Sequence, residues 1–223
     1  MKDIVIIGAG NFGREVAQLI DDINMDKKTW NLLGYVDETI EKHGTIINSN
    51  QVLGGFEWLE KNGSNKVAAI CAIGNPRAKY SVVGKISGYG LNYINLIHPD
   101  AKIGKFVEMG HGNVICCNSF ISVNIKIGNH VSINPGCGIG HNVVIGDFSS
   151  LYWNVTLSGN VSIGDGCEIG SKADIIPQRS VGSWSIIGAG AVVTKDIPDN
   201  CTAVGVPAKP VKFHQPVTVV CNT

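Results

Sequence analysis

His141 stands in the run Gly138-Ile139-Gly140-His141-Asn142, two places after an aliphatic residue and among small ones. An ordinary imidazole titrates at about 6.5, so one held at the surface beside a substrate takes up a proton at neutral pH. His130, three places after Ile127, has a comparable setting, and spacing alone does not choose between the two. A different chemistry is written near the N-terminus. Gly8, Gly10 and Gly13, with Asn11 and Phe12 between the last two, form G-x-G-x-x-G after the apolar run Ile4-Val5-Ile6-Ile7. Arg14 to Ile23 follows with Val16, Leu19, Ile20 and Ile23 at helical spacing. In a strand-turn-helix such glycines let the backbone approach a phosphate, and the helix N-terminus offers unpaired N–H groups.

Asp37 ends a second apolar stretch, Leu32 to Val36, where a carboxylate can accept hydrogen bonds from a ribose or another sugar hydroxyl. A third stretch, Val67 to Ile73, leads into Gly74-Asn75-Pro76, which puts Gly74 and Asn75 at the same ends of the strands. Pro76 suits the first turn of a helix through Arg77, Tyr80, Val83 and Ile86. Leu91 to Ile97 reads as a fourth strand. Strands alternating with helices over residues 1–97 predict a small Rossmann-like domain with a parallel sheet. It supplies only one mononucleotide-sized half, which argues against a full dinucleotide site and leaves two readings, a site for a phosphate- and sugar-bearing ligand or an α/β cap whose glycines only make a tight turn.

His98-Pro99-Asp100 interrupts this pattern, and a six-residue rhythm begins. Steps of six from Ile103 to Val193 meet sixteen apolar residues, fifteen of them Ile, Leu or Val; the next residue is Gly at nine steps. The residue two before each step is mostly small or β-branched, as at Val131, Cys137, Val155, Cys167 and Ala173. Neither an α-helix nor an amphipathic strand has this period. A short repeat with an inward aliphatic and a glycine at the corner is that of a parallel β-helix, which buries its core coil against coil. The rhythm fails after Val193, at Ile197-Pro198-Asp199-Asn200, so residues 98–198 are expected to form the β-helix and 199–223 a cap and tail. No pattern is visible beyond His214.

Eighteen basic side chains balance eighteen acidic ones without a dense Lys/Arg block, which argues against nucleic acid or an anionic membrane as partner. Seven cysteines form no C-x-x-C pair, and Cys137 and Cys167 fall on inward positions, pointing to a reducing compartment. The first apolar run is too short for a signal peptide, and no run approaches the roughly eighteen residues that span a bilayer. The expectation is a cytoplasmic protein with no membrane insertion. No metal is expected, because the offsets among His111, His130 and His141 do not stack all three on one corner.

The whole chain resembles the hexapeptide-repeat acetyltransferases of bacteria that act on nucleotide-linked amino sugars or sialic acid. The residues that carry the likeness are the Gly-rich first turn, Leu96-Ile97-His98-Pro99, the hexapeptides, His141 through Phe148, and the closing Val204-Gly205-Val206-Pro207-Ala208-Lys209. The resemblance implies a left-handed β-helix, with three hexapeptides to a coil, assembled as a homotrimer. It also implies acetyl-CoA in the groove between neighbouring β-helices and a nucleotide sugar in the N-terminal domain. His141 becomes the general base with Asn142 beside it, and Ser150, Gly159, Ser171, Ala189 and Lys209 the contacts of the coenzyme. The acceptor implied is the amine of a 4-amino-4,6-dideoxy sugar, acetylated directly in a ternary complex. O-acetylation of sialic acid or a related sugar is the first alternative, and a non-catalytic β-helix partner of a sugar-biosynthesis enzyme the second. The chain departs from the family's pattern at three points: Asn142 replaces an acidic residue, Ser150 replaces a second histidine, and Asn11-Phe12-Gly13 replaces Gly-His-Gly.

Overall fold

The computed structural model describes residues 1–63 and 67–217. The last part of the patternless C-terminus, residues 218–223, lies outside them. Among the described residues the chain divides into two compact units, one of Met1–Gly74 and Ala78–Pro99, the other of Asn75–Arg77 and residues 100–217.

In the first unit, β1 (Lys2–Ile7), α1 (Asn11–Asp26) and β2 (Trp30–Val36) make the opening strand-turn-helix-strand. They are followed by β3 (Ile46–Ile47), β4 (Asn50–Gly54), α2 (Phe56–Asn62), β5 (Ala68–Cys71), α3 (Pro76–Lys85) and β6 (Asn92–Tyr93). The sheet order is β3-β4-β2-β1-β5-β6, with β1 parallel to both β2 and β5. The central place of β1 follows from its composition: Ile4 to Ile7 are at most 1 % exposed, as befits a strand covered on both faces. α1 turns Gly13, Val16, Ala17, Leu19 and Ile20 inward, one apolar stripe against the sheet. The β3–β4 pair and α2 fall in a stretch for which the sequence showed no pattern. The expected fourth strand is two short pieces, Asn92–Tyr93 and Leu96–Ile97.

The second unit is a left-handed parallel β-helix with three faces. The first holds Lys102–Ile103, Phe120–Ile121, Gly138–Ile139, Thr156–Leu157, Asp174–Ile175 and Val192–Val193. The second holds Val107–Met109, Ile125–Ile127, Val144–Ile145, Ser162–Ile163 and Ser180–Val181. The third includes Val114–Ile115, Ser132–Ile133, Ser150–Leu151, Glu168–Ile169 and Ile186–Ile187. Each strand pairs with the one eighteen residues on, as Phe120 with Gly138 and Lys126 with Val144. The corners explain why the chain turns so tightly. Every sixth residue from Phe106 to Gly190 has φ between 55° and 76°, and nine of these fifteen are Asn or Gly, which enter the left-handed region most readily.

Fourteen of the sixteen rhythmic aliphatics are at most 4 % exposed. The two exceptions are at the start: Ile103 is 36 % exposed and Met109 partly so, because a terminal coil has a stacked neighbour on one side only. The far end differs from the sequence expectation. The third face continues past the apparent end of the repeat, with Thr202 and Ala203 opposite Ile186 and Ile187. Val181 likewise bridges to Ile197. These offsets are sixteen residues, as in the Cys201 N–H bond to Ser185 Oγ, so the last coil is two residues short and slips out of the six-residue count. Cys201 and Ala203 are fully buried in it, and Lys209–Phe213 then pairs antiparallel with Cys201–Val204.

Candidate functional site

His141 and Asn142 occupy the edge between the first and second faces, and both are exposed. The left-handed corner is Asn142 (φ 58°), with His141 immediately before it. Asn142 Nδ2 lies 3.2 Å from His141 Nδ1 and donates to Asn160 Oδ1, one coil on, at 3.1 Å. The imidazole lies over Gly159: a Cβ built there would stand 2.5 Å from both Cε1 and Nε2 of the ring. His141, Asn142 and Gly159 are therefore brought together, and Asn160, which sequence reading overlooked, joins them. The eighteen-residue coil length is the signal that would have found it.

His130 has a different setting. It is 2 % exposed, at the edge between the second and third faces, stacked on Phe148 at 5.2 Å and edge-on to His111 at 5.3 Å. Its ring fills a column of corner side chains. Burial thus separates the two histidines that spacing left equal.

The residues expected to meet a coenzyme are scattered. Ser171 and Ala189 share the edge between the third and first faces, across the first face from His141 and Gly159. Ser150 is on the third face and only 2 % exposed, so it does not share the edge of His141. Lys209 is exposed and pairs with Val204 at the start of the final strand.

The thiols of Cys137 and Cys167 point into the β-helix. Burial pushes Cys137 up to about 11 and Cys167 up to about 12, and both sit inside the coil. At neutral pH neither supplies a thiolate.

The first unit contains a cavity of about 340 Å³ at the carboxyl ends of β1 and β2. Gly8, Gly10, Asn11, Phe12, Asp37 and Gly74 line it. The three motif glycines have different surroundings. Gly8 adopts φ 107°; Gly10 faces open space, with nothing within 4 Å of where a Cβ would stand; Gly13 packs so closely that its Cβ would meet the Gly8 carbonyl oxygen. Gly13 is therefore a packing residue and does not line the cavity. Asn75 does not line it either, since its Nδ2 donates to Glu168 Oε1 at 3.0 Å within the second unit.

Asp37 is already engaged. Oδ2 accepts from the Ala9 N–H at 2.8 Å and from Lys42 Nζ at 3.1 Å, and Oδ1 accepts from the Thr39 N–H at 2.9 Å. Burial alone would push this carboxyl up; the hydrogen bonds from Thr39, Ala9 and Lys42 outweigh it and hold the carboxyl at about 2. Asp37 is thus an anion that pins the glycine-rich turn to the end of β2. Glu38, Thr39, Lys42 and Phe56 also line the cavity and were missed in the sequence. The turn of Asp37 onto the Thr39 N–H, an aspartate bonding its own chain two residues on, was the readable hint.

The family model of the PglD N-terminal domain matches residues 3–86, and that of the bacterial transferase hexapeptide (six repeats) matches residues 160–195. Among solved structures, the chain is similar to PerB from Caulobacter crescentus in complex with CoA and GDP-perosamine. The TM-score is 0.86 at 28% identity, covering 95% of this chain and 98% of that one. It is also similar to the acetyltransferase domain of PglB from Neisseria gonorrhoeae FA1090 in complex with acetyl coenzyme A. Here the TM-score is 0.85 at 29% identity, over 94% of this chain and 99% of that one. Curated relatives match more locally. A protein of Schizosaccharomyces pombe named as an acetyltransferase is 60% identical over 38 residues, 17% of this chain and 18% of its own length. The galactoside O-acetyltransferase of Lactococcus lactis subsp. lactis is 33% identical over 106 residues, 47% of this chain. This chain spans about half the length of that relative and under a fifth of the yeast protein. With a PglD-type match at the N-terminus, a hexapeptide match in the β-helix and both structural neighbours covered almost end to end, the chain is similar over nearly its whole length to hexapeptide-repeat sugar acetyltransferases.

Proposed function

We propose that this protein transfers the acetyl group of acetyl-CoA to the amine of a nucleotide-linked 4-amino-4,6-dideoxy sugar. The observation that carries this reading is the near end-to-end likeness to a perosamine N-acetyltransferase that holds both CoA and a nucleotide sugar. The cavity above Gly8 and Gly10, with the N-terminus of α1 at its rim, suits the phosphates of the nucleotide. Asp37 keeps its loop in place and has lone-pair capacity left for a sugar hydroxyl.

His141 is the general base in this reading. As the amine attacks the thioester carbonyl, its proton passes to the imidazole, the new C–N bond forms, and the C–S bond breaks. The imidazolium then returns the proton to the departing thiolate. Gly159 leaves the ring its place, and the edge carrying Ser171 and Ala189 is a candidate track for the pantetheine. Lys209 is a candidate for a CoA phosphate. The inert Cys137 and Cys167 favour direct transfer over an acyl-enzyme. Assembly as a homotrimer and a place in the cytoplasm, beside the pools of both substrates, complete the proposal; among the described residues no helix is long and apolar enough to cross a membrane.

The match to galactoside O-acetyltransferase keeps a hydroxyl acceptor as the second reading. Release of free thiol from acetyl-CoA, measured against UDP-, GDP- and dTDP-linked 4-amino sugars and against sialic acid, decides between them. Turnover with one nucleotide sugar that collapses in His141→Ala establishes the reaction and the base. Turnover that survives the substitution removes His141 from that role.

A further inference from the structure

The amide pair beside His141 has a consequence for which ring nitrogen carries the proton. Asn142 Nδ2 lies 3.2 Å from His141 Nδ1 and 3.1 Å from Asn160 Oδ1. One amide NH₂ therefore serves two acceptors, and Nδ1 receives a hydrogen bond with its lone pair. A neutral imidazole so held carries its proton on Nε2. The other arrangement places Oδ1 of Asn142 against Nδ1, which must then be the N–H donor, leaving the Nε2 lone pair free. Turning Asn142 alone would set its Oδ1 against Asn160 Oδ1, two acceptors face to face. Turning both amides keeps the bond between them, now from Asn160 Nδ2 to Asn142 Oδ1.

We propose that Asn160 is a positioning residue for His141: the Asn142–Asn160 pair turns as a unit, and its orientation selects the imidazole tautomer. A carboxylate beside Nδ1 accepts only, and so fixes Nδ1–H; two linked amides offer both states, and the residue one coil away decides between them. The left-handed corners at 142 and 160 (φ 58° and 60°) account for Asn at both positions, but not for the pairing of their side chains with the ring. Proton transfer at Nε2 requires the turned state, so this inference rests on His141 being the base, whereas the link between Asn160 and the tautomer does not.

Two substitutions separate the possibilities without straining the corner, since Gly and Asp both tolerate positive φ. In Asn160→Asp the partner can only accept, which holds Asn142 Nδ2 towards it and locks the ring with its proton on Nε2. In Asn160→Gly the partner is gone and Asn142 turns freely. Long-range ¹H–¹⁵N correlation spectra of histidine-labelled full-length protein at pH 8, without substrate, read the tautomer directly. We expect Asn160→Asp to show His141 with its proton on Nε2 alone, and the wild type and Asn160→Gly to show a mixture. In steady-state assays Asn160→Asp lowers kcat about tenfold or more, with KM for both substrates within twofold, a geometric loss of the kind expected for a misdirected base. Tautomer ratios identical in all three proteins overturn the proposal. So does a rise in kcat for Asn160→Asp, which would mean that the added negative charge acts through space. Because the spectra need no turnover, they remain decisive even if His141→Ala shows that the base lies elsewhere.

Discussion

His141 rests on the space that Gly159 leaves empty one coil further on, where a Cβ would stand 2.5 Å from two ring atoms. The pair ties the proposed base to a residue eighteen positions away. In Gly159→Ala the methyl group displaces the imidazole by about an ångström, enough to lower kcat about 100-fold while the melting temperature changes little. Thiol-release kinetics beside a thermal melt check this. An unchanged kcat would show that the ring is not held where it must act.

The motif glycines divide into two roles. Gly13→Ala drives a methyl group into the Gly8 carbonyl and costs about 1–3 kcal/mol of stability, read from denaturant unfolding. Gly10→Ala meets nothing of the protein, so stability stays within about 1 kcal/mol. Its methyl group projects into the cavity instead. The expected result is a rise of about tenfold in KM for the nucleotide sugar, with KM for acetyl-CoA unchanged, a loss confined to one substrate's binding.

Asp37 gives the stability curve a pH dependence with a known sign. Its carboxyl is held at about 2 in the fold, against an ordinary 3.8, so folding favours the anion. This stabilisation is complete above about pH 4 and is lost as pH falls through the interval from about 4 to 2. With solvent screening allowed for, it amounts to about 1–2 kcal/mol. Asp37→Asn should remove that slope in urea unfolding measured across the interval. A slope unchanged in the variant would assign it to other carboxylates.

Leu157 is 1 % exposed and stacks between Ile139 and Ile175. Leu157→Ala is expected to cost about 2–5 kcal/mol in urea unfolding, because the coils above and below are fixed by their own ladders and cannot close on the gap. Its KM values should stay within twofold. A cost below about 1 kcal/mol would mean that the column relaxes.

The β-helix could be read from sequence because each hexapeptide is constrained twice, by an inward aliphatic and by a left-handed corner. Fourteen buried aliphatics and fifteen corners agree with one period. The stretch between Glu38 and Leu59 could not. Its turn at Asn48 and Ser49 (φ 46° and 67°) and the short β3 and β4 leave too few residues for a periodicity, although Thr39, Lys42 and Phe56 line the cavity. The exposure of His141 beside a corner was legible, since the register puts it outside the coil. The burial of Ser150 was not: the repeat says which side chains point out of the coil, and nothing about whether water reaches them. Asn160 needed the coil length as well as the period, because its partner is a neighbour through space and eighteen residues away along the chain.

A stack of identical coils has no natural end, and its last rung is a template for another chain. Here the final coil is two residues short, so a further coil would meet it out of register. The last rung of the first face is taken up by the Val192 N–H bond to Gly205 and the Ala208 N–H bond to Val192. On the third face the antiparallel strand Lys209–Phe213 presents Pro210 between Lys209 and Lys212, a sequence ill suited to adding another strand. The irregular terminus thus offers an incoming chain no regular rung on the first or third face, which opposes end-to-end growth of a solenoid with an aliphatic interior.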